Sequence, residues 1–166
     1  MKNKRKQVTL FLEGKASNVI ERIRQKFNPK QYQLIKSHIT LCREDEIENL
    51  DVVLKNLVNL NDEIFELSLE KVKRFSDGEG VLIPVKDENQ LFQKLRQSVL
   101  KNVILNPRKH NPHITIMHPR NSTCDDYIFE KITNIEIPEK IQLTKISLIE
   151  QEIGKKWEVI NEYKLK

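Results

Sequence analysis

Two histidines carry the chemistry this chain offers. His38 opens His-Ile-Thr-Leu and His113 opens His-Ile-Thr-Ile, so two of the four histidines begin the pattern histidine, isoleucine, threonine, aliphatic. Both blocks are β-prone, and side chains alternate along a strand. His38 and Thr40 therefore share one face while Ile39 and Leu41 share the other, and His113 and Thr115 point together in the same way. The aliphatic pairs are expected to pack beneath helices, and the His–Thr pairs to look outward into a groove. If a pseudo-two-fold axis relates the blocks, the imidazoles and hydroxyls surround one small anion. Such a group suits in-line displacement at phosphorus. One neutral histidine takes a proton from the attacking oxygen and the other, protonated, gives one to the departing oxygen. Imidazole plays either part near neutral pH, and the threonine hydroxyls hold the non-bridging oxygens. The arrangement requires no metal or other cofactor. The competing description of His38 and His113 is a pair of half-buried strand histidines with structural hydrogen bonds.

The elements around the blocks repeat. Residues 8–12 read as a strand, and Val19, Ile20, Ile23 and Phe27 recur at helical spacing, with Ser17 or Asn18 as cap and Asn28-Pro29 as the end. After the first block, the acidic start Glu44-Asp45-Glu46 leads one helix onward through Leu50, Val53 and Leu57, and 64–75 alternates as a strand. The second half has a strand at 81–85 and a helix with Leu91, Leu95 and Val99 on one stripe. Asp87 and Gln90 form its capping box. The second block follows the Pro107 break, then come a short helix near 125–133 and closing strands at 141–150 and 157–165. Both halves read strand, helix, strand, helix, strand, an internal duplication without a Ser/Gly-rich linker. A single domain, 1–166, is expected, with one lobe at about 7–75 and the other at about 79–166, strands crossing between them.

Composition narrows the partners. The chain has 166 residues, 32% of them charged, with 29 Lys+Arg against 24 Asp+Glu, a net charge of +5 that suits a phosphate-bearing ligand or RNA. Four glycines leave no dinucleotide-binding or P-loop pattern. Gly78-Glu79-Gly80 runs into apolar residues and reads as a hairpin turn. Cys42 and Cys124 make neither a disulfide framework nor a zinc ribbon, which fits a reducing cytoplasm. The basic start Met1-Lys2-Asn3-Lys4-Arg5-Lys6 precedes too short an apolar run for a signal peptide. It reads as a solubilising tail. Nothing points to a membrane or a protein partner.

The secondary candidates are weaker. His110, His113 and His118 suggest zinc, but His113 and His118 are an odd number apart on one strand and should face opposite ways, and no cysteine or acidic pair completes the set. His110 and His118 read as surface or loop residues. Arg120, freed by Pro119, is a phosphate-binding candidate, whereas alternation puts Arg43 on the aliphatic side. Tyr32, in a polar loop, is a base-stacking candidate. Phe11 and Phe75 are better explained by core packing.

The blocks Ser37-His38-Ile39-Thr40-Leu41 and Pro112-His113-Ile114-Thr115-Ile116 resemble the paired H-x-T-x motifs of the two-histidine (2H) phosphoesterase superfamily, which includes 2′-5′ RNA ligases and cyclic nucleotide phosphodiesterases. Ser37 stands where many relatives have proline. The resemblance implies an α+β, bilobal fold, two pseudo-symmetric lobes whose antiparallel sheets flank a central cleft. It implies metal-independent cleavage or formation of a phosphodiester involving a ribose 2′-hydroxyl, commonly a 2′,3′-cyclic phosphate on a nucleotide or RNA end. His38 and His113 become the acid–base pair, and Thr40 and Thr115 the phosphate binders. The alternative is a nucleotide- or RNA-binding module of the same fold that performs no chemistry.

Overall fold

β1 (Lys4–Phe11), α1 (Gly14–Phe27), α2 (Pro29–Leu34) and β2 (His38–Cys42) open the fold of the computed structural model, which describes residues 3–166. α3 (Leu50–Val58), β3 (Phe65–Ser68) and β4 (Lys73–Arg74) complete the first half. The second half runs β5 (Val81–Pro84), α4 (Gln90–Val99), β6 (His113–Met117), α5 (Asp126–Thr133), β7 (Lys140–Leu143), β8 (Lys145–Glu152) and β9 (Glu158–Lys164). Seven strands hydrogen-bond in the order β4-β5-β6-β2-β1-β8-β9, and β3 pairs with β7 in a separate ribbon. All pairings are antiparallel. The motif strands β2 and β6 lie side by side at the centre, joined at Ile39 and Ile114. The closing strands β8 and β9 build outward from β1, while β4 builds onto β5, so the chain crosses between the halves.

The two central hairpins are near copies. Phe11 faces His38 and Thr9 faces Thr40 across β1–β2, then the register slips so that Val8 faces Cys42. Pro84 faces His113 and Leu82 faces Thr115 across β5–β6, then Val81 faces Met117. Leu41 and Ile116 are thus the extra residues of equivalent bulges, and both motif strands bury their five residues in the same pattern. The aliphatic face is dry: Ile39, Leu41, Ile114 and Ile116 have no exposure, and Ile20, Ile23, Phe92 and Leu95 from the helices cover the core. Each helix lies against the other half's motif strand, α1 on β6 and α4 on β2. Burying one such aliphatic side chain contributes about 2 kcal/mol, and the swapped helices tie the halves together.

Several local expectations are corrected. β1 starts at Lys4, so Lys4-Arg5-Lys6 is strand rather than tail: β8 pairs with it, and Glu150 bridges Lys4 and Lys6 at 2.9 and 2.6 Å. Met1 and Lys2 lie outside the described residues. α1 begins ahead of Ser17 and Asn18, with Glu13 at its N-cap and no side-chain cap. Asn28-Pro29 ends α1 but also starts α2, Pro29 taking the first turn where a missing N–H costs nothing, so Tyr32 is helical. The helix expected from Glu44 is divided. Glu44–Glu46 is a short 3-10 turn, because the Glu46 carboxylate folds back to the Arg43 amide and into an ion pair with Arg96. The 64–75 strand is divided between two sheets as β3 and β4, and 141–150 likewise as β7 and β8. Asn89, not Asp87, is the N-cap of α4, which moves the buried stripe to Phe92, Leu95 and Val99 and leaves Leu91 exposed.

Candidate active site

His38, Thr40, His113 and Thr115 all line one cleft of about 350 Å³ on the face of the sheet opposite the aliphatic pairs. Each imidazole is held in the same way. His38 Nδ1 lies 2.8 Å from the Lys36 carbonyl and His113 Nδ1 lies 3.1 Å from the Asn111 carbonyl. A carbonyl oxygen only accepts, so in both neutral rings Nδ1 carries the proton and Nε2 is the free base. A phenylalanine edge supports each ring: Phe11 at 6.0 Å from His38 and Phe75 at 5.7 Å from His113, centroid to centroid. Thr40 Oγ1 accepts a hydrogen bond from Gln7 Nε2 at 2.9 Å, which leaves its own hydroxyl proton to donate to an anion.

A helix of each half, α1 and α4, clamps the backbone beside the Nδ1 acceptor. In the first half Arg24, 1% exposed, donates to the Ile35 carbonyl at 2.8 Å and pairs with Glu21 at 3.0 Å, and Glu21 in turn accepts from the Ser37 amide. In the second half Gln93 Nε2 donates to the His110 carbonyl at 2.6 Å. A further buried pair joins the halves. Arg96 meets Glu46 at 2.8 Å and also donates to the carbonyls of Leu41, the bulged residue, and Arg108. Arg96 holds the Glu46 carboxyl down at about 2, against the opposing effect of burial.

The electrostatics favour an anion. Burial pushes His38 down to about 4, against the lift from the Lys36 carbonyl, and Arg24 adds to the push. Burial also lowers His113, with Arg43 contributing. Burial lowers His110 to about 4, helped by Arg96, and lowers His118, helped by Arg120 and Arg5. Arg5, Arg24, Arg43 and Arg120 line the cleft, and among the described residues no carboxylate does. An incoming phosphate would supply the missing negative charge and raise the pKa of whichever imidazole it touches. A larger groove of about 620 Å³, between α3, α4 and the segment before β3, is lined by side chains such as Asn56, Leu91 and Lys94, with no histidine among the described residues.

The structure moves several secondary candidates. The bulges at Leu41 and Ile116 reverse the strand phase, so Arg43 and His118, five residues beyond the motif histidines, reach the cleft instead of facing away from it. His110 is 5% exposed, stacks on Phe92 at 6.2 Å and lies 6.3 Å from His113, so it is no surface residue. Arg120 lines the rim. Tyr32 is half-buried on α2 and is not among the lining residues. Phe75 lines the cleft, and both Phe11 and Phe75 support the histidines. Gln7, Arg24 and Trp157 join the cleft without having been candidates from sequence. Arg24 follows the helical stripe Ile20-Ile23-Phe27, and an arginine on that apolar face was the available signal for it.

Comparison with known proteins gives the fold a context. Solved structures of E. coli LigT superpose over nearly the whole of both chains. The 3′-AMP complex gives a TM-score of 0.68 at 15% identity, covering 99% of each chain, and the phosphate complex gives 0.65 at 15% identity, covering 98% of each. TT0787 of Thermus thermophilus gives 0.61 at 14% identity and 97% of each chain. No curated protein matches the sequence significantly. Among the described residues no helix is long and apolar enough to cross a membrane. The family model of the 2′-5′ RNA ligase superfamily matches residues 12–155, and with that span it takes in both histidine–threonine strands. The chain therefore belongs to the 2′-5′ RNA ligase superfamily, among the two-histidine phosphoesterases.

Proposed function

We propose that this protein is a metal-independent phosphodiesterase that opens a 2′,3′-cyclic or 2′-5′ phosphodiester on a nucleotide or RNA end. One observation carries the reading: two Nδ1-anchored imidazoles, each with a threonine on the same strand face, share a cleft lined by four arginines and, among the described residues, no carboxylate. The free Nε2 of one neutral histidine takes a proton from water as its oxygen attacks phosphorus. The bond from phosphorus to the ribose oxygen breaks, and the second histidine, protonated next to the bound anion, delivers its proton there. Thr40, Thr115 and Arg120 hold the non-bridging oxygens as charge builds on them. The cleft's four arginines and two threonine hydroxyls fit a phosphate directly. The E. coli LigT structures with phosphate, 3′-AMP, ATP and NADP+ support a ligand that bears phosphate. The two free thiols, Cys42 buried and Cys124 half-buried, fit a cytoplasmic protein.

The test is turnover of 2′,3′-cyclic mononucleotides with EDTA present, comparing the native protein with His38→Ala and His113→Ala. Native turnover that falls about 10²–10⁴-fold in each variant is expected. Activity abolished by EDTA, or surviving both substitutions, would overturn the mechanism. Nucleotide binding without any product would leave a non-catalytic binding module.

A further inference from the structure

β1 carries a second row of groups into the cleft. Lys4 and Lys6 turn to Glu150, and the alternate residues turn the other way: Gln7 donates to Thr40, and Arg5 lines the cleft beyond it. Two residues along a strand are about 7 Å, so Arg5 leaves β1 about 7 Å beyond Gln7, whose amide touches the Thr40 hydroxyl, and a guanidinium reaching out on the same face lies about one nucleoside further along the cleft.

Arg5 is held rigid. Its Nε donates to Gln151 Oε1 at 2.8 Å and its guanidinium carbon lies 5.0 Å from the centre of the Trp157 ring. Gln151 is 2% exposed and is itself tied to the Lys155 carbonyl at 2.5 Å, while the Trp157 amide donates to the Leu34 carbonyl at 2.9 Å. The two terminal nitrogens of Arg5 have no acceptor among the described residues. Arg120, across the rim, is also without a carboxylate partner among them, and the two guanidinium groups repel each other, with only Glu44 opposing. A planar, half-buried fork with its nitrogens free, facing a second cation, is built for an oxyanion.

We infer that Arg5, stacked on Trp157, forms a second phosphate subsite, so that the preferred substrate carries two phosphates separated by one nucleoside. This rests on the reading that the His–Thr pairs hold the reacting phosphate. The second phosphate comes either from an internucleotide linkage of RNA or from the terminal 5′-phosphate of a nucleotide. Arg5 recognises the oxyanion common to both.

Trp157 is the chain's one tryptophan, so its fluorescence reports on this subsite directly. Three probes are titrated: adenosine 3′-monophosphate, adenosine 3′,5′-bisphosphate and the dinucleotide ApA bearing a 3′-phosphate. At least one two-phosphate probe is expected to bind tenfold or more tightly than the monophosphate and to change Trp157 emission. Arg5→Gln is expected to bring that ratio close to one, and Arg5→Lys to leave it in between, with circular dichroism verifying the fold of both. Preference for the dinucleotide assigns the subsite to RNA, and preference for the bisphosphate to a terminal phosphate. Equal affinity for all three probes in the native protein, or a ratio unchanged in Arg5→Gln, overturns the inference while cyclic-nucleotide turnover stands. No binding of any probe and no turnover overturns the phosphodiesterase reading along with it.

Discussion

Replacing Gly80 by alanine tests whether the ring packed against His113 sets the position that the proposed chemistry needs. Gly80 is buried in the β4–β5 turn and is not among the glycines with positive φ, so its backbone would accept an alanine. Space is what it lacks. An added Cβ would lie 2.5 Å from Phe75 Cδ2 and 2.7 and 2.8 Å from Pro119 Cγ and Cδ, all atoms of rings. Carbon atoms pack at about 3.5–4.0 Å, so Phe75 must retreat by roughly 1 Å, and its ring is the edge that supports His113 at 5.7 Å. A displacement of that size at a catalytic group costs about 10²-fold in rate, and the overpacking costs about 1–3 kcal/mol of stability. The expected result is a folded protein with a lower melting temperature, kcat on a cyclic nucleotide reduced about a hundredfold, and NMR shifts of the His113 ring moved while those of His38 stay. Gly14→Ala is the control: at φ +61 with nothing within 4 Å, it costs backbone strain alone, about 1–2 kcal/mol, and leaves kcat in place. A folded Gly80→Ala protein with native kcat and an unmoved His113 would refute the role given to Phe75.

Stability should depend on pH through the depressed histidines. His38 and His110 sit at about 4 in the folded protein against an ordinary imidazole value of 6.5, so between those values the unfolded chain binds protons that the folded chain does not. Stability is then complete above about pH 6.5 and lost as pH falls toward 4; for the buried His110 the change is about 3 kcal/mol, and urea denaturation of His110→Phe should show a shallower fall over that window than the native protein. Arg96→Met leaves the buried Glu46 carboxylate with only the longer Arg108 contact and the Arg43 amide and strips two carbonyls of a donor, at a cost of about 3 kcal/mol, whereas changing Arg96 and Glu46 together to leucine should recover much of it; denaturant midpoints decide. Lys73→Ala removes an exposed pair with Glu70 and should cost less than about 1 kcal/mol by the same measurement.

The placement of the motif pairs was the legible part of the sequence, because residue type and strand alternation suffice to put His38 beside Thr40 and His113 beside Thr115. Alternation then misled at Arg43 and His118. Each lies beyond a bulge, and one extra residue in a strand turns every later side chain to the other face. Nothing in Leu41-Cys42 or Ile116-Met117 announces such a bulge, since both residues of each pair are apolar and suit either face. Tyr32 was misplaced because Pro29 stops a helix and starts one equally well. Arg5 hid in a basic run whose neighbours Lys4 and Lys6 do face outward, and only the pairing of β1 with β8 separates them. The strand order was beyond reach, because joining β8 and β9 to β1 is a long-range pairing with no local cost to betray it.

The near-equivalence of the two motifs sharpens what the proposed acid–base pair needs. Register, bulge, Nδ1 anchor and aromatic support repeat from one half to the other, so the backbone presents two similar imidazoles to one anion. Two equal imidazoles would titrate together, yet the proposed displacement needs one proton-free and one protonated. The surroundings divide them. A charged clamp, Glu21 with Arg24, stands behind His38, where a neutral amide, Gln93, stands behind the loop to His113. Gln7 occupies Thr40, whereas the equivalent place on β5 precedes Val81 and is Gly80, filled by Phe75 and Pro119. Arg24 bears on His38 and Arg43 on His113, so the two rings have different neighbours outside the symmetric motif, and in the proposed reaction a bound phosphate raises whichever imidazole it touches.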